Sequence, residues 1–485
     1  MSIFLEIFVE LINKLTKNGI QVTIKGETRH IKLYAILACV DTVARAPMQG
    51  TCQFNAHYGC DWCMHPGEYY NGSMRYPYTD QLPDNRDAAT TIKFAKLALR
   101  TEKPVFGIKT ASPLMLLNNF DIIKSFSPDY MHCILAGVAK QYTEYIISYM
   151  STNDYETLNS LFSKIKVPHQ LGRLARPLSD RGNWKSREWE NWILFYSVPL
   201  FNLVLKCKKR LRHWQLLTES LHIALQTKIT YAELNDMNDM LCTFLSEAEN
   251  LYTLTAMTYN THQLLHVADS IANWGPLWAH SSFCFESANY YLLRAIKCGR
   301  GVVQQIIRYI NLERYVQMLE KIVYPNTTSR IEIFYKDINV PYTKKVFKLT
   351  NITYLGKENS IDQCECEKFS ISITTKNFFR MIINGTLYMS SKKTNARSCN
   401  YYVQLVNGQF IKLDSFLVDV ERKCEITLYQ LINTTCYANS NAIKEITSIN
   451  DEILSVESSQ IYRIATFIQI GKKMYIIATP NLYFY

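Results

Sequence analysis

Near Tyr324-Pro325-Asn326 the hydrophobic pattern of this chain changes period, and a single layer of like elements cannot absorb that change. Upstream, apolar residues recur at helical spacing over 130–150, 188–205, 214–227, 232–256, 261–273, 285–298 and 302–313. Pro199 falls inside the second stretch and predicts a kink. Gly299-Arg300-Gly301 separates the last two. Downstream, short runs rich in β-branched and aromatic residues alternate with turn signals. Asn384-Gly385, Asn407-Gly408 and Gly471-Lys472 each sit between two such runs and predict a hairpin. The expectation is a largely helical part over 1–323, with a few strands at its start, and a small all-β barrel or sandwich over 324–485.

The first residues read as an amphipathic helix over 1–19, with Ile3, Ile7, Phe8, Leu11, Ile12 and Leu15 as its apolar stripe. A nearly continuous apolar run over 31–40 predicts a buried strand that ends at Asp41. Residues 51–79 read as a loop carrying Cys60-x-x-Cys63. A chain of 485 residues, 48% hydrophobic and 20% charged, is globular and long enough for two or three domains. No apolar run approaches the roughly 18 residues that would cross a bilayer, so no membrane partner is expected. The net charge of +11 is mild at this length and compatible with nucleic acid. Glu6 and Glu10 interrupt any apolar leader, so the chain is expected not to be secreted and its 14 cysteines to stay reduced.

Several residues could carry chemistry. Asp41, Asp129 and Glu286 are acidic groups at element ends; brought together, they could hold Mg²⁺ through oxygen ligands and cleave a phosphodiester. Alternatively, Asp129 is a helix N-cap and Glu286 a first-turn partner of a helix dipole. Cys60 and Cys63 are flanked by His57 and His65, a set that could bind Zn²⁺, with Cys52, His132 or Cys133 as other possible ligands. His262 and His266 lie four apart on one helix face, as metal ligands or as core histidines. Lys206, Lys208, Lys209, Arg210 and Arg212 form the densest basic run and, with Arg45 and Arg300, are candidate phosphate contacts. Trp189 and Trp192 share a helix face and are expected in the core.

Taken in order, these motifs resemble CACTA-type (En/Spm-like) DNA transposases, including the metazoan transposase-domain proteins of that group. The resemblance runs through Cys39-Val40-Asp41-Thr42-Val43-Ala44-Arg45-Ala46, Gly59-Cys60-Asp61-Trp62-Cys63, Asp129-Tyr130-Met131-His132, Asn260-Thr261-His262-x-Leu264-Leu265-His266 and Phe285-Glu286. It covers roughly residues 3–313. It implies a ribonuclease H-like domain with a helical insertion over about 130–280, between the second and third catalytic acids. By the resemblance, Asp41 is the second catalytic Asp and Glu286 the closing Glu, with Asp129 and His132 supporting the site. It also implies a two-metal Mg²⁺ or Mn²⁺ centre, zinc at the Cys-x-x-Cys loop, transposon-end DNA as partner, an assembly of copies and a nuclear location. The family's first catalytic Asp has no counterpart here, since Asp41 is the first Asp of the sequence. The expected fold class is thus α/β plus all-β, with a partial, N-terminally truncated ribonuclease H-like domain. The expected function is that of a transposase relative with an incomplete catalytic centre. The alternatives are an active enzyme whose missing carboxylate comes from elsewhere, such as Glu27 or another subunit, and a zinc-stapled module that binds DNA or protein.

Overall fold

A computed structural model of the chain describes residues 2–24, 26–165, 171, 176–323, 328–339, 346–361, 363–393, 399–437 and 440–481. The change of pattern at Tyr324-Pro325-Asn326 lies outside them. By contact density the chain forms two units: Met1–Ser282 with Thr435–Ile446 and Thr466–Tyr485, and Phe283–Thr434 with Thr447–Ala465.

In the first unit, helix α1 (Ser2–Asn18) is followed by a hairpin of β1 (Ile20–Ile24) and β2 (Glu27–Ile31). The buried face of α1 keeps Ile12 of the expected stripe but centres on Val9 instead. Val9 is buried, and Leu5 and Ile12 pack with it on Leu114, Leu117, Ile122 and Phe126. Ile3, Phe4, Ile7, Phe8 and Leu11 are exposed. Polar anchors choose between the two apolar faces: Asn13 Nδ2 donates to Leu116 O (2.9 Å), and Thr16 Oγ1 donates to Leu33 O (2.6 Å). The strand expected over 31–40 is also corrected. Beyond Ile31 the segment makes a single parallel bridge, Ala38 to Phe126, and leaves Leu33, Tyr34 and Ile36 exposed. A parallel strand needs neighbours to take its backbone groups, and no further described strand pairs with it.

Helix α2 (Thr42–Gln49) starts at Asp41, whose Oδ1 accepts from Ala44 N (2.7 Å). Pro47 lies inside α2 and cannot donate to Val43 O; the Gln53 side chain supplies that bond at 3.3 Å. Gly50 closes α2 in the left-handed region, and a Cβ there would stand 2.4 Å from Thr110 O. A small ribbon follows, β3 (Glu68–Tyr70) with β4 (Ser73–Arg75), and then α3 (Ala88–Thr101).

The helical stretch holds two π-helical turns where continuous α-helix was expected. One, Tyr130–Ala139, leads into α4 (Lys140–Ser148), and α5 (Thr152–Phe162) comes next. The other, Trp192–Tyr196, separates α6 (Ser186–Asn191) from α7 (Ser197–Val204). Pro199 lies inside α7 and has no N–H for the carbonyl five residues back, Leu194 O in the second π turn, which accepts from His222 Nε2 at 3.0 Å instead. Helices α8 (Lys208–Ala224) and α9 (Tyr231–Tyr252) pack against each other. Trp189, Trp192 and Trp214 fill the core, with Trp192 Nε1 on Thr143 Oγ1 (3.0 Å) and Trp214 Nε1 on Ser197 Oγ (2.8 Å). The expected helix over 261–273 is α10 (Tyr259–His262), a 3₁₀ turn over Gln263–His266 and α11 (Val267–Trp274).

Among the buried histidines of the first unit, His213 is expected to contribute acid sensitivity. His213 is fully buried, stacks on Phe244 with ring centroids 4.0 Å apart, and donates from Nε2 to Phe244 O at 2.8 Å. Burial pushes its pKa down to about 4. Unfolded, the ring titrates near its ordinary 6.5, so between these values only the unfolded chain takes the proton. Stability therefore falls as pH drops from 6.5 to 4, by about 3 kcal/mol for this group. Urea midpoints measured at pH 7 and 4.5 should show the loss, and His213→Phe should flatten it; an unflattened profile would assign the acid lability elsewhere.

The second unit begins with α12 (Phe283–Leu293), α13 (Val302–Val323) and α14 (Ser329–Asn339). A four-stranded sheet follows in the order β5 (Val346–Lys348), β6 (Thr353–Leu355), β8 (Arg380–Ile383), β9 (Thr386–Met389). Helix α15 (Gln363–Phe369) and strand β7 (Lys376–Phe378) lie between β6 and β8 in the chain. The remaining strands are β10 (Tyr402–Leu405), β11 (Phe410–Asp419), β12 (Cys424–Tyr437), β13 (Ser440–Glu457), β14 (Ile461–Ile470) and β15 (Lys473–Ala478), of which β15, the end of β12, the start of β13 and the end of β14 are counted with the first unit. They run in the order β10-β14-β15-β13-β12-β11, and pairing of β10 with β11 closes this antiparallel sheet into a six-stranded barrel, with β7 added outside β11. All three expected hairpin turns are present. At β8–β9, Asn384 and Gly385 both have positive φ (49° and 80°), as a two-residue hairpin turn requires. The interior of the second unit packs Tyr354, Phe378, Met381, Val403, Ile411 and Phe416.

Candidate metal centre

The loop after α2 and the chain from α10 into the 3₁₀ turn meet in the core of the first unit. Cys60, Cys63, His262 and His266 are all buried, and one ligand atom from each lies within 4.8 Å of the others. Cys60 Sγ is 3.4 Å from His266 Nε2, and Cys63 Sγ is 3.2 Å from His262 Nε2. Tetrahedral zinc with bonds of about 2.3 Å to sulfur and 2.0 Å to nitrogen would separate such atoms by roughly 3.6 Å. The set fits a structural zinc, or another metal of the same preference, in donor type, number and spacing.

The surroundings hold these four groups in place. The Trp62 indole stacks on His266 at 5.6 Å between ring centroids, and Tyr76 stacks on His262 at 5.1 Å. Trp62 N donates to Cys60 Sγ at 3.4 Å, and Gln263 Nε2 approaches the same sulfur at 3.5 Å. Arg86 gathers the turn by donating to the carbonyls of Cys60, Cys63 and Tyr58 at 2.9–3.1 Å. Burial pushes the Cys60 thiol up, while a hydrogen bond with Cys60 draws the Cys63 thiol down.

Beneath the loop lies a buried ion pair. Arg45 donates to Asp61 Oδ2 at 2.5 Å and to Ser127 O. Asp61 Oδ1 accepts from Tyr259 OH (2.5 Å) and Gln263 Nε2 (3.1 Å). Burial opposes the charge on Arg45, but Asp61 beside it more than offsets this and holds the guanidinium protonated. Burial likewise opposes the Asp61 charge, and Arg45 with Tyr259 keeps its carboxyl below the usual range. Asp61 stands between the two cysteines in sequence and Gln263 between the two histidines. One carboxylate thus joins both ligand segments to α2.

The structure revises the ligand set expected from sequence. His65 adjoins His262, but its Nδ1 accepts from Gly67 N (2.9 Å) and its Nε2 donates to Pro77 O (3.0 Å), so neither nitrogen is available. His57 is exposed, with Nδ1 on Pro66 O at 3.2 Å. Cys133 Sγ donates to Asn260 O at 3.5 Å. The signal for the true partners is the His262/His266 pair at i, i+4.

The proposed catalytic residues have other visible duties. Asp41 caps α2. Asp129 caps the first π-helix, accepting from His132 N (2.8 Å), His132 Nδ1 (2.7 Å) and Ser282 N (2.8 Å). Burial works against its charge, but these bonds hold its carboxyl below the usual range. Asp41 and His132 border one cavity. Glu286 is exposed in the first turn of α12, in the second unit. Among the described residues, the Cys60/Cys63/His262/His266 set is the one group of three or more potential metal ligands, and no carboxylate belongs to it.

Of the candidate phosphate contacts, Arg45 is corrected: it is 3% exposed and committed to Asp61. Arg210 turns back over the Tyr149 ring, 3.5 Å from its centroid. Lys206, Lys208, Lys209 and Arg212 remain exposed at the start of α8, and Arg300 is exposed in the second unit. No described helix is long and apolar enough to cross a membrane. No family model matches the chain, and no curated protein does.

Proposed function

We propose that the chain is a transposase-derived protein of the CACTA kind: a zinc-stapled, DNA-handling relative of DDE strand transferases whose acidic metal centre is incomplete. The observation that carries this reading is the convergence of two motifs in the resemblance. Gly59-Cys60-Asp61-Trp62-Cys63 and Asn260-Thr261-His262-x-Leu264-Leu265-His266 supply the four residues of one buried ligand set. When bound, zinc would supply a fixed tetrahedral cross-link. Cys60 and Cys63 would bind as thiolates and His262 and His266 through Nε2, while Asp61, Gln263 and Arg86 hold them in register.

Incompleteness of the acidic centre is supported by the helix-capping duty of Asp41 and by the lack of a carboxylate cluster among the described residues. The same two facts favour a second reading, a non-enzymatic binding module of transposon origin. DNA would meet the exposed Lys208 and Lys209, with Lys206 and Arg212 beside them, in a nuclear protein that assembles with further copies.

The test is made on the purified full chain, by elemental analysis, by duplex-DNA binding at about 50 and 200 mM salt, and by nicking with Mg²⁺ or Mn²⁺. The expected result is one zinc per chain, affinity that falls steeply with salt, and no nicking. Lys208→Gln with Lys209→Gln should lower the salt slope by about two. Metal-dependent nicking abolished by Asp41→Ala would overturn incompleteness. Absence of DNA binding at low salt would leave only a protein-binding module.

A further inference from the structure

Helix α1 carries two apolar faces, and only one of them meets the core. Leu5, Val9 and Ile12 pack inward, with the buried Thr16 in line with them. Ile3, Phe4, Ile7, Phe8 and Leu11 lie away from that face, at 41–78% exposure. Phe4, Phe8, Leu11 and the half-buried Leu15 follow one another at intervals of four, three and four residues, the spacing by which one helix packs along another. At roughly 200 Å² per large side chain, the five exposed residues leave on the order of 600 Å² of apolar surface on one helix. That is at the upper end of what a monomer leaves uncovered. The charges of α1 are ordered as well. Glu6 and Glu10 stand in its first half, Lys14 and Lys17 in its second, all exposed, and none forms an ion pair with a described residue.

We infer that this face is an interface between two copies of the chain, with α1 packed head-to-tail on α1 of the second copy. A two-fold axis through the middle of the helix sets each acidic first half beside the other copy's basic second half, so the attraction is made twice. A parallel pair would set like charge against like. Across the same axis Phe4 meets Leu15 and Phe8 meets Leu11, so the seam is complementary to itself, as an isologous contact requires. With its polar flanks added, the apolar face approaches the roughly 800 Å² per partner of a standard interface. An unrelated helix would need this same charge order in reverse, which a second copy brings by itself. The inference supplies a surface for the assembly of copies named above, but it rests on α1 alone and requires no DNA.

The experiment is sedimentation velocity on the full chain without nucleic acid, over about 1–100 μM. The expected result is a dimer that forms with rising concentration. Leu11→Asp, at the middle of the seam, should raise its Kd about a hundredfold or more. Glu6→Lys with Glu10→Lys should raise it about tenfold or more, and so should Lys14→Glu with Lys17→Glu. An equimolar mixture of these two charge variants should recover dimers of wild-type strength, which also shows that both are folded. A wild-type chain that stays monomeric at about 100 μM would overturn the inference, and so would Leu11→Asp dimerising like the wild type. In a parallel pair the charge variants exchange one like set for another, so an unchanged Kd in both would overturn the head-to-tail arrangement. Weakened variants that do not recover on mixing would overturn the charge pairing. A chain that dimerises as expected and binds no DNA would sink the DNA-handling reading alone and uphold this one.

Discussion

Stripping the metal, or replacing Cys60 by Ser, is expected to lower the melting midpoint of the first unit by about 10–20 °C. The four ligands join chain positions 199 and 206 residues apart. A cross-link closing a loop of that size removes about 5 kcal/mol of chain entropy from the unfolded state. A domain is stable by only about 5–15 kcal/mol, and each kcal/mol moves a midpoint by about 2–4 °C at this size. Loss of the cross-link is compounded by what it leaves behind, two thiols and two imidazoles in a buried site. Thermal melts of the intact chain and of the same protein after chelation, with metal content measured on both, decide the matter. A demetallated chain that melts with the intact one would show that the four side chains satisfy each other without an ion. Metal should also leave as pH falls, since protons compete for all four ligands.

Arg45→Met is expected to cost about 3–5 kcal/mol, far more than a surface arginine would. The side chains of Arg45 and Asp61 are only 3% and 4% exposed, so removing the guanidinium strands a carboxylate in the core. Asp61 also accepts from Tyr259 and Gln263, and losing its counter-charge disturbs both ligand segments together. Arg45→Met should therefore weaken metal retention as well as stability, while Arg45→Met with Asp61→Leu should recover much of the stability. Urea unfolding with a competing chelator measures both effects. A change under about 1 kcal/mol would mean that the pair is solvated and behaves like a surface ion pair.

The features legible in sequence were those decided locally. Asn384-Gly385 and Asn407-Gly408 fix tight turns by their own backbone preferences, so the hairpins follow from them. Helical period likewise located most of the helices. The buried face of α1 was not legible, because two apolar faces compete and the choice falls to Asn13 and Thr16 meeting residues far along the chain. The run over 31–40 is apolar enough for a strand, but pairing is a property of neighbours. The same split runs through the metal centre. Cys60-x-x-Cys63 is visible at once, whereas its partners lie about 200 positions away and the nearest histidines in sequence are not ligands. In sequence Arg45 passes for a phosphate contact, because no local pattern shows that Asp61 pairs with it.

The long separation between the two halves of the metal centre also sets a timetable. Ribosomes add about 5–20 residues per second, so His262 and His266 follow Cys60 and Cys63 by about 10–40 s. Throughout that interval the cysteine pair is made and has no histidine to complete it. The nascent chain must keep two thiols reduced, and out of reach of other metals, until the helical region has been synthesised and has packed. An ion held by these four residues would then be loaded late in the life of the chain, and a message interrupted before codon 262 would yield a polypeptide with half of the ligand set.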